Sequence, residues 1–152
     1  MNQRISGGAI VVREGRILLV RHLREGSYDF LVGPGGGVRH DESAEAAAAR
    51  ETLEETGIVV RPIRLVYVEE LFSDTTRHVK LWFLCEYVSG ESDASGRDAA
   101  AEHIIAAGFF TREELEGRTV FPLVVTEERF WKSVKSGFDR VEYLGLRKME
   151  FS

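Results

Sequence analysis

Three glutamates, Glu51, Glu54 and Glu55, fall within five positions of one another in an Ala-rich run. On a helix turning by about 100° per residue, Glu55 lies about 40° to one side of Glu51 and Glu54 about 60° to the other, so the three carboxylates share a face. Like charges at this spacing cost a helix about a few tenths of a kcal/mol per pair, and a bound cation would reverse that sign. Carboxylate oxygens are hard ligands, and no Cys or His stands beside them, so the fitting metals are Mg²⁺ or Mn²⁺, ahead of Zn²⁺. The bland alternative is a solvated acidic helix face. Against it stands Gly33-Pro34-Gly35-Gly36-Gly37, a short way upstream, whose bare backbone can approach a phosphate or offer a carbonyl to a metal near the positive end of the helix dipole. A loop suited to anions beside a face suited to cations suggests a phosphate–metal site. The chain carries no GxxxxGK[ST], no GxGxxG opening a helix and no Asp-rich calcium loop, so other phosphate motifs do not apply.

The elements that must position these groups follow from local chemistry. Residues 42–56 are rich in strong helix formers, with Asp41 or Ser43 as N-cap and Gly57 as the stop, which predicts a helix. Opposite its carboxylates lie Leu53, Ala46 and Ala49, and this side is expected to pack on a sheet while the acidic side looks into a cleft. Residues 26–41 are expected to form a tight, backbone-exposing loop. Residues 9–12 and 17–20 read as a hairpin, and 58–67 and 79–88 as strands with Ser73-Asp74-Thr75-Thr76 turning between them. Residues 89–101, poor in apolar side chains, are expected to be a mobile loop. Thr111-Arg112-Glu113-Glu114 matches a capping box before a short helix, and 126–136 reads as a helix with Phe130 and Trp131 inward.

Composition narrows the class. A length of 152 residues suits one domain spanning 1–152, and 43% hydrophobic with 30% charged residues is a globular mix. The net charge of -5 disfavours coating of a nucleic acid. No apolar run approaches the ~18 residues of a membrane span, the N-terminus lacks a secretory apolar region, and a single cysteine allows no internal disulfide. The expectation is a cytoplasmic protein with neither a membrane nor a nucleic acid as partner.

Gly36, Glu42 and Arg50-Glu51-Thr52-Leu53-Glu54-Glu55-Thr56-Gly57-Ile58 together resemble the Nudix box, G-x5-E-x7-R-E-U-x-E-E-x-G-U with U a bulky aliphatic. One departure is Thr52 in the first aliphatic slot, which touches no ligand position. Upstream, Asp29 to Gly37 is similar to the family's approach to the box, with Leu31 where an aromatic is frequent.

The resemblance implies an α/β fold, a mixed β-sheet sandwiched between α-helices. It also implies metal-dependent hydrolysis of a nucleoside diphosphate linked to another moiety. Position by position, Glu51, Glu54 and Glu55 fall on the metal-binding carboxylates, Gly35 or Gly36 on the backbone-carbonyl contact, and Arg50 on the arginine that holds a catalytic carboxylate. Glu42 takes the supporting role of the first glutamate. Glu54 or a downstream acid would serve as base, and Glu102 is the downstream choice, in competition with Glu69, Glu86 and Glu91. Arg77 and His78, just before a strand, are placed as substrate-phosphate contacts. The other histidines lack metal-ligand spacing, and Trp82 and Cys85 read as core. The expected partner is a small nucleoside diphosphate derivative, first of all ADP-ribose or a related nucleotide sugar, and a homodimer is admitted as the assembly. The competing readings are a Nudix-fold nucleotide sensor without turnover, and an enzyme for oxidised nucleoside triphosphates or a non-nucleotide diphosphate.

Overall fold

The computed structural model describes residues 1–93 and 103–149. Among these, nine strands form one mixed, curled system in the order β8-β3-β2-β1-β6-β5-β9, with β4 added to β1 and β7 to β2. The strands are β1 Asn2–Arg13, β2 Arg16–Arg24, β3 Tyr28–Val32, β4 Gly35–Gly37, β5 Val59–Phe72, β6 Thr76–Ser89, β7 Ile104–Phe110, β8 Val120–Phe121 and β9 Glu142–Lys148. Two α-helices accompany them, α1 Ala44–Thr56 and α2 Glu128–Ser136. The fold is α/β, as expected.

The long first strand joins the two parts of the sheet. Its first ten paired residues run parallel to β6, from Asn2↔Thr76 to Val11↔Cys85, while its end turns through Glu14-Gly15 into β2 with Val12↔Ile17. The expected hairpin is therefore present, but β1 begins seven residues earlier than the apolar run at Ala9. Strands β5 and β6 also outrun the 58–67 and 79–88 expected, pairing antiparallel as far as Phe72↔Arg77. Arg77 and His78, expected just before the strand, therefore lie within β6 together with Lys80.

Alternation along β1 and β6 divides the core in two. Ile10, Trp82 and Val66 belong to the cluster that α2 covers through the fully buried Phe130, whereas Ala9, Val11, Phe83 and Cys85 belong to the cluster covered by α1 through Ala48. Trp131 packs at the margin and donates its Nε1–H to the Val125 carbonyl at 2.8 Å. Burial pushes the Cys85 thiol up to about 12, consistent with a packing residue and not a nucleophile.

Three local expectations need correction. The stretch 26–41 does not stay a loop, since Tyr28–Val32 forms β3, paired antiparallel with β2. Gly35–Gly37 is a short strand paired antiparallel with β1, Gly7 opposite Gly36 and Gly8 opposite Gly35, so that four glycines meet with no side chain between strands and helix. The capping box at Thr111 forms reciprocal bonds with Glu114, at 2.9 and 3.2 Å, but caps only a single 3₁₀ turn, Glu113–Leu115. The third concerns the face of α1. Leu53 and Ala46 are exposed, and the buried residues are Ala47, Ala48, Thr52, Glu55 and Thr56, with Ala49 alone of the expected three packing against the core. The acidic face and the packing face largely coincide.

Candidate metal and phosphate site

The helix packs on its acidic side because everything there is small or satisfied. Ser43 caps its start by accepting from the Ala46 N–H at 3.1 Å, and Gly57 ends it in the left-handed conformation, φ 76°. Alanines at 47 and 48 let α1 lie directly on β1, so closely that a Cβ on Gly7 would collide with the Ala44 carbonyl. Thr52, in the slot where an aliphatic was expected, is fully buried and donates to the Ala48 carbonyl at 2.7 Å. Its methyl can pack while its hydroxyl is satisfied within the helix.

Glu55 is only 2% exposed and accepts a hydrogen bond from the Gly35 N–H at 2.9 Å. Glu51 lies against the next residue, where a Cβ on Gly36 would come within 2.5 Å of its carboxyl carbon. The two glycines thus form a cradle that any side chain would fill. Gly35 and Gly36, assigned from sequence to a backbone contact, do adjoin the carboxylates assigned to the metal.

Arg50 organises the rest. Its Nε and Nη2 form a fork onto Glu42 at 2.8 and 2.9 Å, Nη1 reaches Glu51 at 2.8 Å and Glu54 at 3.3 Å, and Nη2 also bonds the Gly37 carbonyl at 3.1 Å. The Arg50 guanidinium, with help from the Arg39 N–H, holds the Glu42 carboxyl down to about 2, so Glu42 stays ionised across the physiological range. The Arg39 guanidinium stands 3.9 Å from Glu54. Glu42, Glu51 and Glu54 thus share two guanidinium groups while Glu55 accepts from the Gly35 N–H, an excess of negative charge that a divalent cation would offset. Among the described residues no three acidic, His or Cys side chains already converge as a finished coordination shell. Donor type, cradle and charge fit a hard cation, while Arg50 at present holds Glu51 and Glu54.

The remaining assigned residues fall elsewhere. Glu102 lies outside the described residues, as does most of 89–101; the chain before it is tied to α1 by the Asp93 N–H bonding the Thr56 carbonyl at 2.7 Å. Of the competing acids, Glu86 pairs with Arg61 and Glu69 is buried, accepting from the Trp82 Nε1–H at 3.0 Å. Arg77 and His78, neighbours on a strand, point to opposite faces. Arg77 bonds Glu70 at 2.6 Å on the far side. His78 faces the interior, 2.6 Å from the Ser6 hydroxyl, and burial, with the Lys80 and Arg4 charges, lowers it to about 4. The two cannot grip one phosphate together.

His78 lines a cleft of about 160 Å³ between the two parts of the sheet, whose other walls include Phe121, Lys80, Arg147 and Met149. Lys80 and Arg147 were not found from the sequence. One signal was available, since strict alternation through Trp82 and Leu84 puts Lys80 on the apolar face of β6; Arg147 had none.

Comparison with known proteins agrees with this geometry. A protein of Streptomyces ambofaciens named "MutT-like protein" is 38% identical over 98 residues, 63% of this chain and 60% of that protein. An "RNA pyrophosphohydrolase" of Haemophilus influenzae is 38% identical over 64 residues, 42% of this chain and 31% of that protein. This chain thus matches less than two thirds of either relative. A NUDIX hydrolase structure from Nitrosomonas europaea superposes with a TM-score of 0.77, covering 98% of this chain and 81% of that one, at 20% identity. Among the described residues no helix is long and apolar enough to cross a membrane. The NUDIX domain family model matches residues 2–130, strands β1 to β8, acidic helix and glycine cradle included, and the chain belongs to that family.

Proposed function

We propose that this protein hydrolyses the pyrophosphate of a nucleoside diphosphate linked to a further moiety, with Mg²⁺ as cofactor and ADP-ribose or a related nucleotide sugar as the first substrate class to test. The observation that carries this reading is the Arg50 fork, which gathers Glu42, Glu51 and Glu54 beside a glycine strand whose first residue, Gly35, bonds Glu55. The names of the matched relatives point to the same chemistry, one being a pyrophosphohydrolase.

In this reading Glu51, Glu54 and Glu55 hold the cation, with the Gly35 or Gly36 carbonyl beside them. The bound ion would neutralise phosphate oxygens and acidify the attacking water. Arg50 acts as a positioning residue, keeping like charges together that would otherwise repel, and Glu42 anchors Arg50. Glu54, the most accessible of the three with its side chain 30% exposed, is best placed to take the proton from water. Glu102 remains the proposed downstream acid. A single, buried cysteine suits action in the cytoplasm.

The test is a hydrolysis screen over nucleotide sugars, nucleoside triphosphates and dinucleoside polyphosphates with Mg²⁺ or Mn²⁺, run beside Glu54→Gln. Turnover of at least one class, abolished by chelator and lowered by about two orders of magnitude in Glu54→Gln, is the expected result. Ligand binding without turnover in any class would make the protein a sensor, and wild-type turnover in Glu54→Gln at saturating Mg²⁺ would move the site elsewhere.

A further inference from the structure

The strand registers place Ser6, His78, Lys80 and Arg147 on the sheet face opposite α1. Residues directly opposite each other on paired strands share a face. Gly37 of the cradle pairs with Ser6, Ser6 with Lys80, and Lys80 with Glu69; one row on, His78 pairs with Leu71, and Leu71 with Arg147. These pairings run from the glycine strand to the inter-sheet cleft, so the cleft lies beside the acidic site. The Glu55 charge is among those that act on Lys80.

The cleft is short of acceptors. Its polar side chains are Lys80, Arg147 and His78, and the neighbouring carboxylate, Glu69, accepts from the Trp82 indole N–H through one oxygen while the other stays beyond hydrogen-bond reach of Arg147 Nε. Arg147 Nε is buried and has no hydrogen-bond partner among the described residues, its Glu69 carboxylate standing off at 3.8 Å, and its guanidinium lies 4.4 Å from the Phe121 ring centroid. The Lys80 ammonium sits 4.6 Å from the Trp82 ring centroid, and burial lowers its pKa. A buried donor left unpaired costs about 1–3 kcal/mol and more when charged, so this arrangement is completed by an incoming oxygen. Lys80, Arg147 and Arg4 outnumber Glu69 and Glu55, the carboxylates that act on Lys80, and this cationic excess selects a charged oxygen over a neutral carbonyl. The volume of about 160 Å³ admits one such group and its ring, not a whole nucleotide.

We propose that this cleft binds an anionic oxygen group, phosphoryl or carboxylate, on the substrate beyond the pyrophosphate, with Lys80 and Arg147 as its contacts. The inference rests on the hydrolase reading for the identity of the substrate, and it names specificity residues that the matched region only half contains. Arg147 lies on β9, past residue 130 where the family match ends.

The experiment compares uridine diphosphate linked to a neutral hexose, to the corresponding hexuronic acid and to the hexose 6-phosphate, in wild type, Lys80→Met and Arg147→Met. The expected result is kcat/KM about tenfold higher for at least one charged substrate in wild type, falling to near parity in either variant, with the neutral substrate little changed. The carboxylate and phosphate arms identify which anion is preferred. Arg147→Lys, which keeps charge but loses the planar fork, should recover part of the preference. Equal kcat/KM across all three substrates in wild type, or a preference that survives both substitutions, would overturn the proposal. A second readout separates it from the hydrolase reading. In chelator, without metal, glucuronic acid 1-phosphate should raise the melting temperature of the wild type and leave both variants unmoved. That pattern without turnover of any compound would sustain the cleft and sink the hydrolase; no stabilisation of the wild type would sink the cleft even if hydrolysis proceeds.

Discussion

The two halves of this site are built in opposite ways. The cradle and acidic helix come from one stretch, Gly35 to Gly57, where the spacing of a helix and the bareness of a glycine strand place every group. The cleft is assembled from Phe121, His78, Lys80 and Arg147, which meet only because β3, β6, β8 and β9 are brought together by sheet topology. In the first half the charges are closely paired; in the second a cation stands over an aromatic ring and a buried donor goes unsatisfied. A local site can be over-determined by short-range geometry. A long-range one keeps unsatisfied groups that a ligand can complete.

The largest expected effect comes from removing the single residue that ties the first half together. Arg50→Met leaves Glu42, Glu51 and Glu54 without the guanidinium that now bonds all three, with side chains only 14%, 13% and 30% exposed. Turnover should fall by about a hundredfold or more, and the fold should lose about 2 kcal/mol, below the usual cost of breaking a fully buried pair because these groups retain some water. Stabilisation by glucuronic acid 1-phosphate in chelator should persist, since the cleft does not use Arg50. Its loss would show that the halves are one unit and break the contrast drawn above.

A smaller effect is expected at Gly36. The atoms a Cβ would meet are the Glu51 carboxylate at 2.5 to 2.8 Å, the far end of a flexible chain and not backbone. Gly36→Ala should therefore displace that carboxylate cheaply, costing under about 1 kcal/mol of stability while lowering kcat about tenfold and weakening Mn²⁺ affinity in calorimetry. A variant that unfolds, or one with normal metal affinity, would remove Glu51 from the cradle.

The contrast also explains what the sequence could say. The Nudix box, the helix 42–56 and the hairpin near residues 9–20 are set by chemistry within a few residues, and they were legible. The packing face of α1 was not, because the wheel argument took carboxylates to require water; in fact Glu55 is buried with the Gly35 N–H as its partner, and Leu53 is left outside. Strand lengths were misjudged where polar residues continue a ladder, as at Arg77 and His78 in β6. Lys80 carried a faint signal through alternation, whereas Arg147 depends on β9 adding in parallel to β5, a pairing across more than 70 positions that no local pattern announces.

The smallest effect, and the one that sharpens the contrast most, is the order in which acid loosens the two halves. Glu42 is held down to about 2 by Arg50 from an ordinary 4.5, so its contribution to stability is present above about 4.5 and is lost as pH falls through about 2. His78 shifts the other way for a base. Buried and lowered to about 4 from 6.5, it stays neutral in the folded state while the unfolded chain takes up a proton, so stability falls as pH drops from 6.5 toward 4. Between pH 7 and 4.5 the cleft half should weaken while the Arg50 fork is untouched. Melting temperatures across that range should therefore decline less steeply in His78→Gln than in wild type, by a few degrees over the window. Glu42→Gln should run parallel to wild type there and converge with it only at lower pH. Parallel curves for His78→Gln would mean that its imidazole titrates alike in folded and unfolded chains, and that the donors of the cleft are wetter than their burial implies.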